Sequence, residues 1–213
     1  MYGLTECKRV SYLPPEQIEQ KPESVGIAIP GTEVMVLDEA GQPVKPGETG
    51  TLYVRGPHVM LGYWNQPEKT AHMLKPGSLP GERLLCTHDL FTVDQDGYLY
   101  FVGRTDDIIK SRGEKVSPVE IEKVLYGIPG IREAAVLGVP DPVLGQAVYA
   151  FVSLMEDSAL SERQLKKLCS DKLEAFMVPK HVLLVSELPR TANGKLSRKL
   201  ILEQYAALLA EFA

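Results

Sequence analysis

Cysteine is scarce. The three present, Cys7, Cys86 and Cys169, are odd in number, widely separated and form no CxxC pair. That argues against a disulfide framework or a zinc cluster and suits a reducing compartment. No apolar run approaches the length of a membrane span, so none is expected. The opening residues, MYGLTECKRV, lack the apolar stretch of a signal peptide. A cytoplasmic location is the expectation these absences leave. Positive charge is not in excess: 23 Lys and Arg stand against 28 Asp and Glu, for a net charge of −5. Nucleic acid is therefore not an expected partner, because phosphate binding calls for a basic face. Basic residues gather only locally, at Lys195, Arg198 and Lys199. The four histidines, His58, His72, His88 and His181, show no metal-ligand spacing and read as structural or surface groups. The single tryptophan, Trp64, and its neighbour Tyr63 read as packing residues.

What is present is an ordinary globular composition. Of 213 residues, 44% are apolar and 24% charged, enough to bury a core of one large or two small domains. The pattern changes at about residues 103–107. Before that point short strands dominate. Residues 33–37 read as a short strand, 51–55 alternate, turns are expected at 38–41 and 45–50, and Asp94-Gln95-Asp96-Gly97 separates two further strands as a hairpin. Strands joined by such turns suggest a small barrel or sandwich.

After that point helices and strands alternate. Ser117-Pro118-Val119-Glu120 predicts a capped helix start, with Ile121, Val124 and Leu125 on one face and Gly127 at the end. The continuous apolar runs at 134–139 and 147–154 predict buried strands, and 182–185 a third. Ser161 with Gln164 predicts a second capping box. That helix should carry Leu165, Leu168, Cys169, Lys172 and Leu173 inward. Asn193-Gly194 predicts a tight turn, and a last helix follows from about Arg198.

Four stretches carry chemistry in their order and spacing. They are Tyr2-Gly3-Leu4-Thr5-Glu6, Thr87-His88-Asp89, Gly103-Arg104-Thr105-Asp106-Asp107-Ile108-Ile109-Lys110, and Pro189-Arg190-Thr191-Ala192-Asn193-Gly194-Lys195. With GTLYVRGPHVMLGYW at 50–64 and FMVPK at 176–180, they resemble the AMP-forming acyl-CoA synthetase, adenylation-domain and luciferase superfamily across essentially the whole chain. The details at 87–104 and 108–118 are most similar to acyl- or aryl-CoA ligases, some of them enzymes of fatty acid metabolism. The resemblance implies an α+β fold. A small distorted β-barrel subdomain ends the large adenylate-forming domain at 1–105. A compact α+β C-terminal domain, a central sheet flanked by helices, follows at 106–213 and is mobile.

The resemblance also implies roles. Tyr2, Gly3, Thr5, Asp89, Arg104 and Lys195 would bind ATP or AMP. Lys195, Thr5 and Glu6 would be catalytic, with Glu6 a ligand of Mg²⁺, a cation that prefers hard oxygen donors. Asp106 would be the hinge. Lys110, Arg112, Gly113 and Lys115 would face CoA or the phosphopantetheine of a carrier protein. The expected reaction joins a carboxylic acid to ATP, releasing pyrophosphate, and then passes the acyl group to a thiol. The family pattern has Gly where this chain has His88, so an altered turn is expected beside Asp89.

The 213 residues contain no Ser/Thr/Gly-rich phosphate loop ending in Pro-Lys. The expectation is therefore that an N-terminal adenylation domain is missing from this chain and carried on the same or a separate polypeptide. The chain would then be inactive alone, and surface exposed at the cut would be open to self-association. The alternatives are part of an acyl- or aminoacyl-AMP ligase feeding a carrier protein, or a non-catalytic docking module or remnant.

Overall fold

The computed structural model describes residues 1–210; residues 211–213, included in the expected second domain, lie outside the described residues. The chain divides into two compact units, the first Met1–Asp106 and the second beginning at Asp107. Its fold is mixed α+β.

In the first unit β1 (Tyr2–Leu4), β2 (Lys8–Tyr12) and β3 (Ile27–Ala28) form an antiparallel three-stranded sheet. A second antiparallel sheet follows from β4 (Glu33–Leu37), β5 (Thr49–Arg55), β6 (Leu74–Pro76), β7 (Arg83–Val93) and β8 (Leu99–Arg104), with helix α1 (Pro67–Met73) ahead of β6. Strand β7 is eleven residues long and organises this sheet. It takes β5 on one edge, and β6 and then β8 along the other. The expected barrel is a curled half-barrel. Alternation in β5 buries Leu52 and Val54 against Val10, Leu85, Phe91 and Leu99. Burying each such side chain contributes about 1.5–3 kcal/mol. Trp64 is not a packing residue: it is 89% exposed.

In the second unit β9 (Ile109–Ser111) and β10 (Glu114–Val116) form a hairpin, followed by helix α2 (Pro118–Tyr126). Then come β11 (Ile131–Asp141), β12 (Gly145–Leu154), helix α3 (Glu162–Ser170), β13 (His181–Leu184), and helices α4 (Arg198–Gln204) and α5 (Ala206–Ala210). The sheet order is β10-β9-β12-β11, and β13 pairs with β12 in parallel. Strand β12 is central, and residues 147–153 are all buried. That is why its sequence is a continuous apolar run rather than an alternating one.

Ala150 and Val152 face one core with Ile121, Leu125, Leu165 and Cys169 of α2 and α3. Tyr149 and Phe151 face another with Ile201 and Leu209 of α4 and α5.

Two local expectations, at Ser117 and Lys172, need correction. Ser117 stands at the start of α2 without making a side-chain cap bond. Pro118 sets that start through its fixed φ instead. Gly127 ends α2 as expected, in the right-handed region at φ −75°. The capping box of α3 forms between Ser161 and Gln164 as expected, but the helix stops at Ser170, so Lys172 lies beyond it and is exposed.

Candidate functional site

Asp89 is placed by an irregularity of β7. Thr51 pairs with Leu90 and Tyr53 with Cys86, so Leu52 alone stands opposite Thr87, His88 and Asp89. Such a bulge bends the strand and re-aims a side chain. Within it the Thr87 hydroxyl donates to the Leu52 carbonyl at 2.9 Å, and the Asp89 N–H donates to Thr87 Oγ1 at 3.1 Å.

His88 sits between them at φ +57°. His88 thus takes a left-handed conformation, one in which His is enriched among non-glycine residues. Its ring stacks on His72 with centroids 4.6 Å apart. Its Nε2 is buried without a hydrogen-bond partner among the described residues. Burial, then the neighbouring His72, hold its pKa below the usual histidine value.

The Asp89 carboxylate is buried, with partners on β1 and β8. Tyr2 Oη donates to Oδ2 at 2.5 Å, and Arg104 Nη1 lies 3.2 Å from Oδ1. Arg104 is the cross-strand partner of Asp89 on β8. Tyr2 reaches it from β1, edge-on to Phe91 with centroids 5.0 Å apart. Burial, then the Asp89 bond, raise the Tyr2 phenol far above its ordinary pKa.

Gly3 is required by the neighbouring strand, because a Cβ there would lie 1.9 Å from the Lys8 carbonyl. Thr5 is exposed on the turn from β1 to β2, and the adjacent Glu6 carboxylate accepts from the Tyr63 hydroxyl. Tyr63 is pushed up to about 12 by burial and by Glu6. Nothing in the local sequence linked Tyr63 to Glu6 or His72 to His88, because both contacts are long-range. Among the described residues no group of three His, Cys, Asp or Glu could hold a metal ion. A cleft of about 780 Å³ between Leu61 and Arg83 contains none of the expected site residues.

In the second unit the expected thiol-side residues lie on the β9–β10 hairpin. Arg112 at φ +56° and Gly113 at φ +84° form its two-residue loop. Two successive left-handed residues make the turn whose twist matches paired strands. Lys110 and Lys115 are cross-strand partners on the exposed face. A pocket of about 300 Å³ is lined by Ser111, Arg112, Phe176, Val178 and Lys180 among others. The side chain of Lys180 is already paired with Asp141 at 2.7 Å.

Lys195 is exposed at the tip of a loop closed by a bridge between Arg190 and Leu196. The Gly194 N–H donates to Thr191 O at 2.8 Å, and Gly194 takes φ +76° while Asn193 does not. This is the tight turn expected there, closed from Thr191 to Gly194 and ending in a left-handed glycine. The Lys195 ammonium makes no ion pair among the described residues. Asp106 is exposed at the end of the first unit.

Tyr2, Asp89 and Arg104 thus converge. Thr5 and Glu6 share one turn, the hairpin carries its four residues together, and Lys195 stands on a loop of its own. Residues 1–64 match the AMP-binding enzyme family, and residues 120–195 match the AMP-binding enzyme C-terminal domain. The chain belongs to the AMP-forming adenylating enzymes.

The family's relatives include the long-chain-fatty-acid–CoA ligase of Escherichia coli O157:H7, 39% identical over 198 residues, covering 93% of this chain and 34% of that protein. Among solved structures, ATP-bound MatB from Rhodopseudomonas palustris superposes with a TM-score of 0.86 at 34% identity, over 96% of this chain and 40% of that one. The o-succinylbenzoate CoA synthetase (MenE) from Bacillus subtilis, in complex with its acyl-adenylate intermediate, gives 0.85 at 32%, over 94% and 40%. The chain spans about a third of the length of the curated relatives it matches. No helix among the described residues is long and apolar enough to cross a membrane.

Proposed function

We propose that the protein carrying this chain is an AMP-forming acyl- or aryl-CoA ligase. The chain supplies the ribose site, part of the phosphate site and the C-terminal domain from Asp106 onward. The observation that supports this most is the buried Asp89 carboxylate, aimed by a bulge and held between Tyr2 and Arg104. An ionised carboxylate accepts only, so it suits a ribose diol, while Arg104 adds a donor at its rim.

In the first half-reaction a carboxylate oxygen of the acid attacks the α-phosphorus of ATP, and the bond to pyrophosphate breaks. Negative charge grows on the α-phosphate oxygens. Thr5 donates a hydroxyl there, and Lys195 brings an ammonium on an exposed loop tip. Mg²⁺ would neutralise phosphate charge. Glu6 offers it one carboxylate, which fits a cation that keeps its other positions for water and substrate phosphates.

Asp106 then acts as the hinge, and the hairpin with Lys110, Arg112, Gly113 and Lys115 faces the incoming thiol. Sulfur bonds to the acyl carbon, the carbon–oxygen bond to AMP breaks, and AMP leaves with the electron pair. The pocket beside Arg112, with Phe176 in its lining, offers an aromatic face and the Arg112 cation to the nucleotide end of CoA.

Pyrophosphate release by the full-length protein, with ATP, Mg²⁺ and a panel of fatty and aromatic acids, tests this reading. Turnover that becomes complete thioester formation only with CoA is the expected result. Absence of release with every acid would refute it. The isolated 213-residue chain should give no steady release, and turnover by that chain alone would contradict the division of labour proposed here.

A further inference from the structure

We infer that Arg198 is a positioning residue that locks the Lys195 loop to the first residue after the hinge, so that motion about Asp106 reaches Lys195 undiminished. This rests on the roles proposed above for Lys195 and Asp106. Arg198 is the first residue of α4, three positions after Lys195. Its guanidinium joins three separate elements. Nη1 lies 3.0 Å from Asp107 Oδ2, the residue where the second unit begins. Nη2 lies 2.8 Å from Glu122 Oε1 on α2, and Nε donates to the Val136 carbonyl of β11 at 3.3 Å. Glu122 closes the circuit by accepting from the Val136 N–H at 2.9 Å.

The other end of the loop is tied to the same strand β11. Arg190 pairs with Glu133 and donates to the Gly194 carbonyl at 2.8 Å. Between these anchors the Ser197 N–H donates to Pro189 O at 3.1 Å.

The chemistry calls for a planar fork. Three donors spread over one rigid group can satisfy Asp107, Glu122 and Val136 at once, and a lysine ammonium on a flexible stem cannot hold all three. Burial pushes the Glu122 carboxyl up and the Arg198 charge beside it opposes that shift. Removing the guanidinium therefore leaves a buried acid without its cation. A tip displaced by about 1 Å is enough to cost a reaction about 100-fold.

The test uses the full-length protein with Arg198→Lys, and Asp107→Asn as a milder variant that removes one arm of the fork. Adenylation and thioester formation from premade acyl-adenylate are measured separately, together with amide exchange. Adenylation kcat is expected to fall roughly 10- to 100-fold, with KM for ATP within about twofold and thioester formation retained. The amides of Gly194 and Lys195 should exchange at least about 10-fold faster, while those of β12 keep their protection.

Equal loss in both half-reactions with faster exchange throughout the second unit would show a merely structural role and overturn the inference. So would unchanged exchange at Gly194 and Lys195. Lys195→Ala, run alongside, separates the two claims. If it leaves adenylation intact the Lys195 assignment falls, and the exchange data still decide whether Arg198 locks the loop.

Discussion

Replacing His88 by Gly and by Ala isolates the conformational cost built into the bulge beside Asp89. Both substitutions delete the imidazole and its stack on His72, so their difference reports the backbone alone. At φ +57° an ordinary side chain costs about 1–2 kcal/mol, whereas Gly costs almost nothing. Against this, Gly loses about 0.5–1 kcal/mol more conformational entropy on folding. The Gly variant should therefore be more stable than the Ala variant by roughly 0.5–1 kcal/mol. The chain has two units, so a single melting curve is the wrong probe. Amide exchange of β7 residues measures the first unit directly. An Ala variant as stable as the Gly variant would refute the strained-bulge reasoning.

The pH dependence follows from the same ring. His88 has its pKa lowered in the folded state by burial, then by His72. The unfolded chain therefore binds more protons below its ordinary value near 6.5, and stability is lost as pH falls through that region. Exchange protection in β7 should drop as pH falls below about 6.5 in wild type, and less in His88→Gly. Asp89→Asn keeps the shape of the group but turns a pure acceptor into a mixed donor and acceptor. KM for ATP in the full-length protein should rise about 10- to 100-fold, with far less change for the acid. An unchanged KM for ATP would remove Asp89 from the nucleotide site.

Much of this was legible in the sequence where local signals dominate. The apolar run at 147–154 gave a central strand because β12 is covered on both faces, and Ser161 with Gln164 gave a capped helix because both partners lie three residues apart. Motif order placed Asp89 and Arg104 in one site, and β7 and β8 make them cross-strand partners. What escaped was tertiary. The Tyr63 bond to Glu6 spans 57 positions, and the Arg198 bridge to Asp107 spans 91. No pattern of period 2 or 3.6 encodes either. The tight turn at Asn193-Gly194 was legible because its closing bond, from the Gly194 N–H to Thr191 O, is local. Trp64 was misjudged because an aromatic beside Gly and Pro says nothing about which side of a turn it occupies.

The most direct measurement compares Lys195→Ala with wild type in the two half-reactions of the full-length protein. Adenylation should fall by about 100-fold or more, as losing a charge aimed at a developing oxyanion does, while thioester formation from premade acyl-adenylate stays within a few-fold. Equal loss in both, or none in adenylation, would contradict the account.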